Sequence, residues 1–240
     1  MMGMLRALVI GATGGIGREV ARLLAEPGTE VVCHGRVDDE RMDALLEDIR
    51  SRGGSARAVI RTLECAEDIV EEIDALLPVD ILVVSFGPMM RGSVAETETE
   101  SWRHMAELNF VMPSAAISRC LPTMKERNFG RILVFGGTRT DRIRGYETIA
   151  AYAAAKTGLA SVVKSVARQT GSYNICINAL CPGYVDTEYY DDAERERARR
   201  EAPGGRMTDP AEVAEMAAVL LSRRNRSMTG AIVPIDGGLG

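Results

Sequence analysis

The sequence lacks any long hydrophobic run. Its first apolar stretch, Leu8 to Ile10, spans a few residues and ends at Gly11, too short for a secretion-signal core or a membrane span. A cytoplasmic protein with no membrane partner is expected. An excess of positive charge is missing too: 29 Lys and Arg stand against 34 Asp and Glu, a formal net charge of −5. Nonspecific attraction to nucleic acid depends on clustered positive charge, so no nucleic-acid partner is expected. The five cysteines, Cys33, Cys65, Cys120, Cys176 and Cys181, show neither CxxC nor Cys/His metal spacing. Disulfides and a metal site are therefore not expected, and the thiols read as small buried side chains. No internal repeat, low-complexity tract or Pro/Ser-rich linker interrupts the 240 residues. Residues 1–240 are expected to form one domain with a core of useful size.

What is present is an alternation of periods. Leu5–Ile10, Val31–His34, Ala56–Ile60, Ile81–Ser85, Arg131–Phe135, Ile175–Leu180 and Ile232–Ile235 are short, β-rich apolar runs. Between them, Ile16–Leu24, Arg41–Arg50, Ala66–Leu77, Trp102–Arg127, Tyr152–Thr170 and Ala211–Leu221 carry apolar residues three and four apart. The alternation predicts an α/β fold: a single doubly wound Rossmann-type domain, its seven-stranded sheet mostly parallel, with helices on both faces. Ile81–Val84 and Ile132–Phe135 are continuously apolar, as strands covered on both faces must be. The polar stretch Asp191–Arg200 reads as a helix, either a solvated surface or a lid over a ligand at a strand end.

After the first strand comes Gly11-Ala12-Thr13-Gly14-Gly15-Ile16-Gly17, and helical periodicity starts at once. Such a turn brings backbone close to a pyrophosphate at a helix N-terminus, where unpaired N–H groups and the helix dipole favour an anion. The second strand ends Val31-Val32-Cys33-His34-Gly35-Arg36, with no carboxylate before Asp38. A carboxylate there would hold ribose hydroxyls, whereas Arg36 suits a 2′-phosphate, so NADP(H) is expected rather than NAD(H). Tyr152 and Lys156, four residues apart, share one helix face. A lysine ammonium favours phenolate, so such a pair can move a proton near neutral pH.

These features, together with Asp80-Ile81-Leu82-Val83, Asn109, Gly130-Arg131-Ile132, Asn178, Pro182-Gly183, Thr187, Thr229-Gly230 and Asp236-Gly237-Gly238, resemble the short-chain dehydrogenase/reductase superfamily along essentially the whole chain. The pattern is most similar to the bacterial 3-oxoacyl-acyl-carrier-protein reductases. The resemblance implies an NADP(H)-dependent oxidoreductase that reduces a carbonyl of a small ketone or acyl thioester to an alcohol. Tyr152 would give the proton, and Lys156 would hold the nicotinamide ribose and lower the Tyr152 pKa. Asn109 would hold a water linked to Lys156. It further implies a cofactor lying against Gly11, Thr13, Gly14, Gly15, Ile16, Gly17, Arg36, Leu63, Ser85, Gly87, Tyr152, Lys156, Pro182, Gly183, Val185 and Thr187. A homo-oligomer, tetramer or dimer, built on the long helices is implied as well, although the Met-rich stretch Trp102–Met124 reads equally as ordinary core.

The chain departs from the family pattern in places. The family's catalytic serine falls on Gly137; either the neighbouring Thr138 supplies the hydroxyl or none remains. Val84-Ser85-Phe86-Gly87 stands where Asn-Asn-Ala-Gly is usual, with Ser85 left to keep part of the bonding, and Thr62-Leu63 stands where an adenine-contacting aspartate is usual. The basic carrier-docking positions correspond to Asn128 and Tyr173. Lys125 and Arg127 would compensate or are solvated charges, and Arg139, Arg142 and Arg144 are solvated or recognise a polar or anionic ketone. A second reading is therefore a dinucleotide-binding sensor or structural subunit that has lost catalysis.

Overall fold

A computed structural model describes residues 4–240. Seven strands form one sheet: β1 (Leu5–Ile10), β2 (Thr29–Gly35), β3 (Ser55–Ile60), β4 (Ile81–Val84), β5 (Gly130–Phe135), β6 (Ile175–Pro182) and β7 (Ile232–Ile235). Their order is β3-β2-β1-β4-β5-β6-β7, and every pairing is parallel, beyond the mostly parallel sheet expected. The chain winds outward from β1 through β2 to β3, then crosses to β4 and winds the other way. The switch lies between β1 and β4, whose carboxyl ends diverge into a crevice.

Among the described residues, eight α-helices cover the faces: α1 (Gly15–Leu24), α2 (Glu40–Ser51), α3 (Ala66–Leu76), α4 (Thr99–Ala106), α5 (Met112–Glu126), α6 (Ala150–Gln169), α7 (Asp192–Glu201) and α8 (Pro210–Leu221). Successive strand residues point to opposite faces. Ala7 and Val9 pack with Val20, Leu45 and Val213 of α1, α2 and α8. Leu8 and Ile10 pack with Ile69, Ile117 and Val163 of α3, α5 and α6. Both faces are buried, which is why the central strands lack polar alternation.

Local chemistry sets the helix starts. Asp39 accepts from the Arg41 and Met42 amides at the start of α2. Asp191 with Glu194 and Asp209 with Glu212 form reciprocal caps on α7 and α8. Cys65 departs from the buried role expected of it: it caps α3 together with Asp68, while the other four cysteines are buried.

The expected continuous helix Trp102–Arg127 is interrupted. Between α4 and α5, Glu107–Val111 form a π-turn in which the Met112 amide donates to the Glu107 carbonyl five residues back. Pro113 explains it: with no N–H, it cannot bond the Asn109 carbonyl four residues earlier, and the helix widens around that residue. Met105, Met112 and Met124 are buried, so this Met-rich stretch is core.

Candidate active site

The glycine-rich turn leaves β1 at Gly11, whose φ of +82° suits glycine. Gly17 sits so close to the turn that a methyl group there would lie 3.0 Å from the Gly11 carbonyl carbon. The Ser85 hydroxyl, just past β4, donates to the Ile10 and Gly11 carbonyls at 3.0 and 3.1 Å. It ties the two crevice strands together where the usual family pattern has an amide. Gly15 presents its N–H to the Glu188 carboxylate, 3.3 Å from each oxygen, so the turn does donate to an anion.

Across the crevice, α6 brings Tyr152 and Lys156 to the carboxyl ends of β4 and β5. The Lys156 ammonium, 4% exposed, donates to the Phe135 carbonyl at 2.9 Å and lies 5.8 Å from the Tyr152 ring centroid. Burial pulls Lys156 down from 10.5 to about 8. Burial pushes the Tyr152 phenol up, reinforced by Cys181, Tyr190 and Tyr146 nearby. The lowering of Tyr152 by a lysine charge, expected from the spacing, is not what dominates here: desolvation outweighs it.

Gly87, after β4, is where Lys156 and Asn109 meet: a methyl group there would lie 2.7 Å from Lys156 Nζ and closer still to Asn109 Oδ1. Asn109 is fully buried in the π-turn. Its amide nitrogen donates to the Pro88 carbonyl at 3.0 Å, and its Oδ1 has no hydrogen-bond partner. A buried carboxamide oxygen left open beside an ammonium is suited to a water between them.

After β5 the chain turns through Gly136, Gly137 and Thr138. Gly137 lies against Tyr152, with a methyl group there 2.7 Å from the phenol oxygen. The Thr138 hydroxyl donates to the Pro182 carbonyl at 3.2 Å, and the Tyr146 hydroxyl donates to the Thr138 carbonyl at 3.1 Å. Arg139 follows with φ of +61°, in the left-handed region, and its Nε is buried without a partner.

The remaining expected contacts divide. Of the residues after β6, Gly183 packs on Asp236, Val185 is buried in the core with a strand bridge to Thr208, and the Thr187 methyl lies over Gly15. Thr13 packs on Gly35 at the end of β2, and Ile16 packs on the core. Arg36 is exposed beyond β2, its charge acting on the Tyr189 phenol. Leu63 belongs to the α3-side core. His34 is buried with Nε2 at 2.9 Å from the Arg61 carbonyl, and burial lowers its pKa. Glu188, Tyr189 and Tyr146 were not anticipated; nothing in their local sequence marks them, and only the fold brings them to the crevice. Among the described residues no group of three His, Cys, Asp or Glu side chains is placed to hold a metal ion.

Comparison with known proteins gives one consistent picture. Residues 11–240 match the enoyl-(acyl carrier protein) reductase family. A 3-oxoacyl-[acyl-carrier-protein] reductase of Vibrio cholerae is 31% identical over 97% of this chain and 96% of its own length. The crystal structure of a 3-oxoacyl (acyl-carrier-protein) reductase from Agrobacterium tumefaciens C58 with NADP bound superposes with a TM-score of 0.88 at 29% identity, covering 98% of this chain and 95% of that one. An actinorhodin polyketide ketoreductase variant with NADPH gives a TM-score of 0.88 at 30% identity, over 100% of this chain and 99% of that one. The doubly wound sheet, the glycine-rich turn and these likenesses agree: the chain belongs to the enoyl-(acyl carrier protein) reductase family, within the short-chain dehydrogenase/reductase superfamily of oxidoreductases.

Proposed function

We propose that this oxidoreductase uses NADPH to reduce a carbonyl to an alcohol, with Tyr152 as proton donor. The observation that carries the proposal is the convergence of Tyr152, Lys156 and Asn109 on Gly87 and Gly137, at the carboxyl ends of β4 and β5 beside the glycine-rich turn. The turn already holds a carboxylate on the Gly15 N–H, a backbone donor at a helix start of the kind a pyrophosphate oxygen takes. Arg36 makes no ion pair among the described residues and is the cation left for a 2′-phosphate, whereas Arg41 is held by Asp39 and Arg18 by Glu19. The dinucleotide, when bound, supplies the hydride.

The chain's own residues do the rest. The raised pKa of Tyr152 keeps its proton on the phenol through neutral pH, as a general acid must. That proton goes to the carbonyl oxygen, leaving a phenolate. Lys156, charged below about pH 8, stabilises the phenolate electrostatically. The open Asn109 Oδ1 accepts from a water that leads protons back towards Lys156. Thr138 can orient the substrate oxygen only by releasing the Pro182 carbonyl.

Replacing Tyr152 by Phe should cut turnover at least a hundredfold while leaving the NADPH dissociation constant within about threefold. Unchanged turnover would remove Tyr152 from the mechanism.

The substrate class proposed is a small ketone or a free acyl thioester. Arg127 is paired with Asp80 at 2.8 Å, and Lys125 lies 5.7 Å from the Tyr173 ring, so both cations are engaged within the chain rather than arrayed for a carrier. A panel of acetoacetyl thioesters and diketones would name it. The second reading, a nucleotide-binding subunit without catalysis, is favoured by Gly137, which brings no hydroxyl to Tyr152; it predicts NADPH binding with no oxidation against the whole panel.

A homo-oligomer, dimer or tetramer, is also proposed. Val111 at the π-turn and Met216 and Val219 on α8 are exposed apolar side chains that a second copy would cover; light scattering gives the subunit number. A cytoplasmic location is proposed, and among the described residues no helix is long and apolar enough to cross a membrane.

A further inference from the structure

The crevice holds a contact that the reaction does not require. Thr187 to Tyr190 form a tight turn, the Tyr190 amide meeting the Thr187 carbonyl, laid across the glycine-rich turn. Its Glu188 carboxylate receives the Gly15 N–H at the start of α1, 3.3 Å from both oxygens. Methyl groups built on the glycines measure how closely it lies: one on Gly15 would be 2.5 Å from Thr187 Cγ2, and one on Gly14 would be 3.2 Å from Tyr189 Cζ and closer still to its hydroxyl. Glu188 and Tyr189 also lie within electrostatic reach of Arg41, whose guanidinium is itself paired with Asp39.

An N–H at a helix start cannot serve two anions at once. The strap is tethered on its far side, where Arg195 of α7 donates to the Thr187 carbonyl at 2.8 Å and to Asp186 at 2.9 Å. Its tip buries little: Glu188 is exposed and Tyr189 is 71% exposed, while Thr187 and Tyr190 at its ends are half-buried. The Glu188–Tyr189 tip opens at small cost because few apolar contacts hold it down.

We propose that the Thr187–Tyr190 strap is an autoinhibitory contact, with the Glu188 carboxylate competing for the anion position that the cofactor's pyrophosphate takes at Gly15. It rests on the reading that the glycine-rich turn binds a dinucleotide. The apparent affinity for the nucleotide is lowered by the fraction of molecules with the strap down. A carboxylate at a helix N-terminus is worth enough to make that a severalfold effect.

The test compares the full-length protein with Glu188→Gln. Isothermal titration gives the NADPH dissociation constant, and hydrogen exchange by mass spectrometry on protein without added nucleotide follows the peptide over residues 11–17. The strap predicts that Glu188→Gln binds NADPH about three- to fivefold more tightly and exchanges the glycine-rich turn faster. An unchanged dissociation constant overturns it. Tighter binding with unchanged exchange also overturns it, because that pair of results is what simple repulsion between Glu188 and the cofactor phosphates would give. If neither protein binds NADPH, the cofactor reading fails instead, and the exchange difference still reports whether Glu188 holds the turn.

Discussion

The Tyr152 hydroxyl rests against the backbone of Gly137: a methyl group built on that glycine would stand 2.7 Å from the phenol oxygen and 2.7 Å from Cε1. A side chain at position 137 would therefore press on the ring of the proposed proton donor. Gly137→Ala should cost roughly 1–2 kcal/mol of stability through overpacking and lower turnover by displacing Tyr152. Gly137→Ser carries the same bulk plus a hydroxyl beside the substrate oxygen. Its turnover should exceed that of Gly137→Ala by at least about tenfold, measured on one carbonyl substrate. Equal rates would mean that the reaction gains nothing from a donor at this position.

Lys156 should give stability and activity opposite pH trends. Below about pH 8 the buried lysine is charged in the folded and unfolded chain alike, so its desolvation counts fully against the fold. Between about 8 and the ordinary 10.5 it is neutral when folded and protonated when unfolded, so its contribution to stability improves as pH rises. Lys156→Met should therefore be more stable than the parent at pH 7 by roughly 1–3 kcal/mol, with the gap closing towards pH 10 in denaturant titrations. Activity of the parent, for which the proposed mechanism needs the ammonium, should fall as pH rises through about 8.

Arg131, at the start of β5, is fully buried, and among the described residues no carboxylate pairs with it. Its guanidinium instead donates to the carbonyls of Gly130, Asn174, Ser222 and Arg223 and lies 4.5 Å from the Phe129 ring centroid. Arg131→Leu would strand these carbonyls at the amino end of the sheet, far from Tyr152. About 3 kcal/mol of stability should be lost, read as a lower melting temperature, with NADPH affinity unchanged in the protein that remains folded.

Gly17 lets α1 pack down on Gly11 and Ser85. Gly17→Ala should lift the helix start, weaken NADPH binding at least about tenfold and cost roughly 2 kcal/mol. Wild-type affinity in this variant would separate the Gly17 approach from cofactor binding.

The sequence by itself determined the order and type of nearly every element. A parallel sheet buried on both faces demands continuous apolar strands, and helices demand a 3.6-residue period; both are written locally. Tyr152 and Lys156 were legible for the same reason, since a four-residue interval on a helix fixes a shared face. The interruption at Glu107–Val111 was local too, carried by Pro113 inside an otherwise periodic run, and the periodicity masked it. The protonation of the pair was not legible: spacing places a lysine near a tyrosine, but burial decides which group moves and in which direction. Nor could the chain order show that Thr138 would turn its hydroxyl to Pro182, or that Glu188 would lie on Gly15, 173 residues away in sequence. These contacts join segments that only the parallel sheet brings to one edge, and their energies depend on desolvation and close approach. Tertiary structure alone sets those quantities.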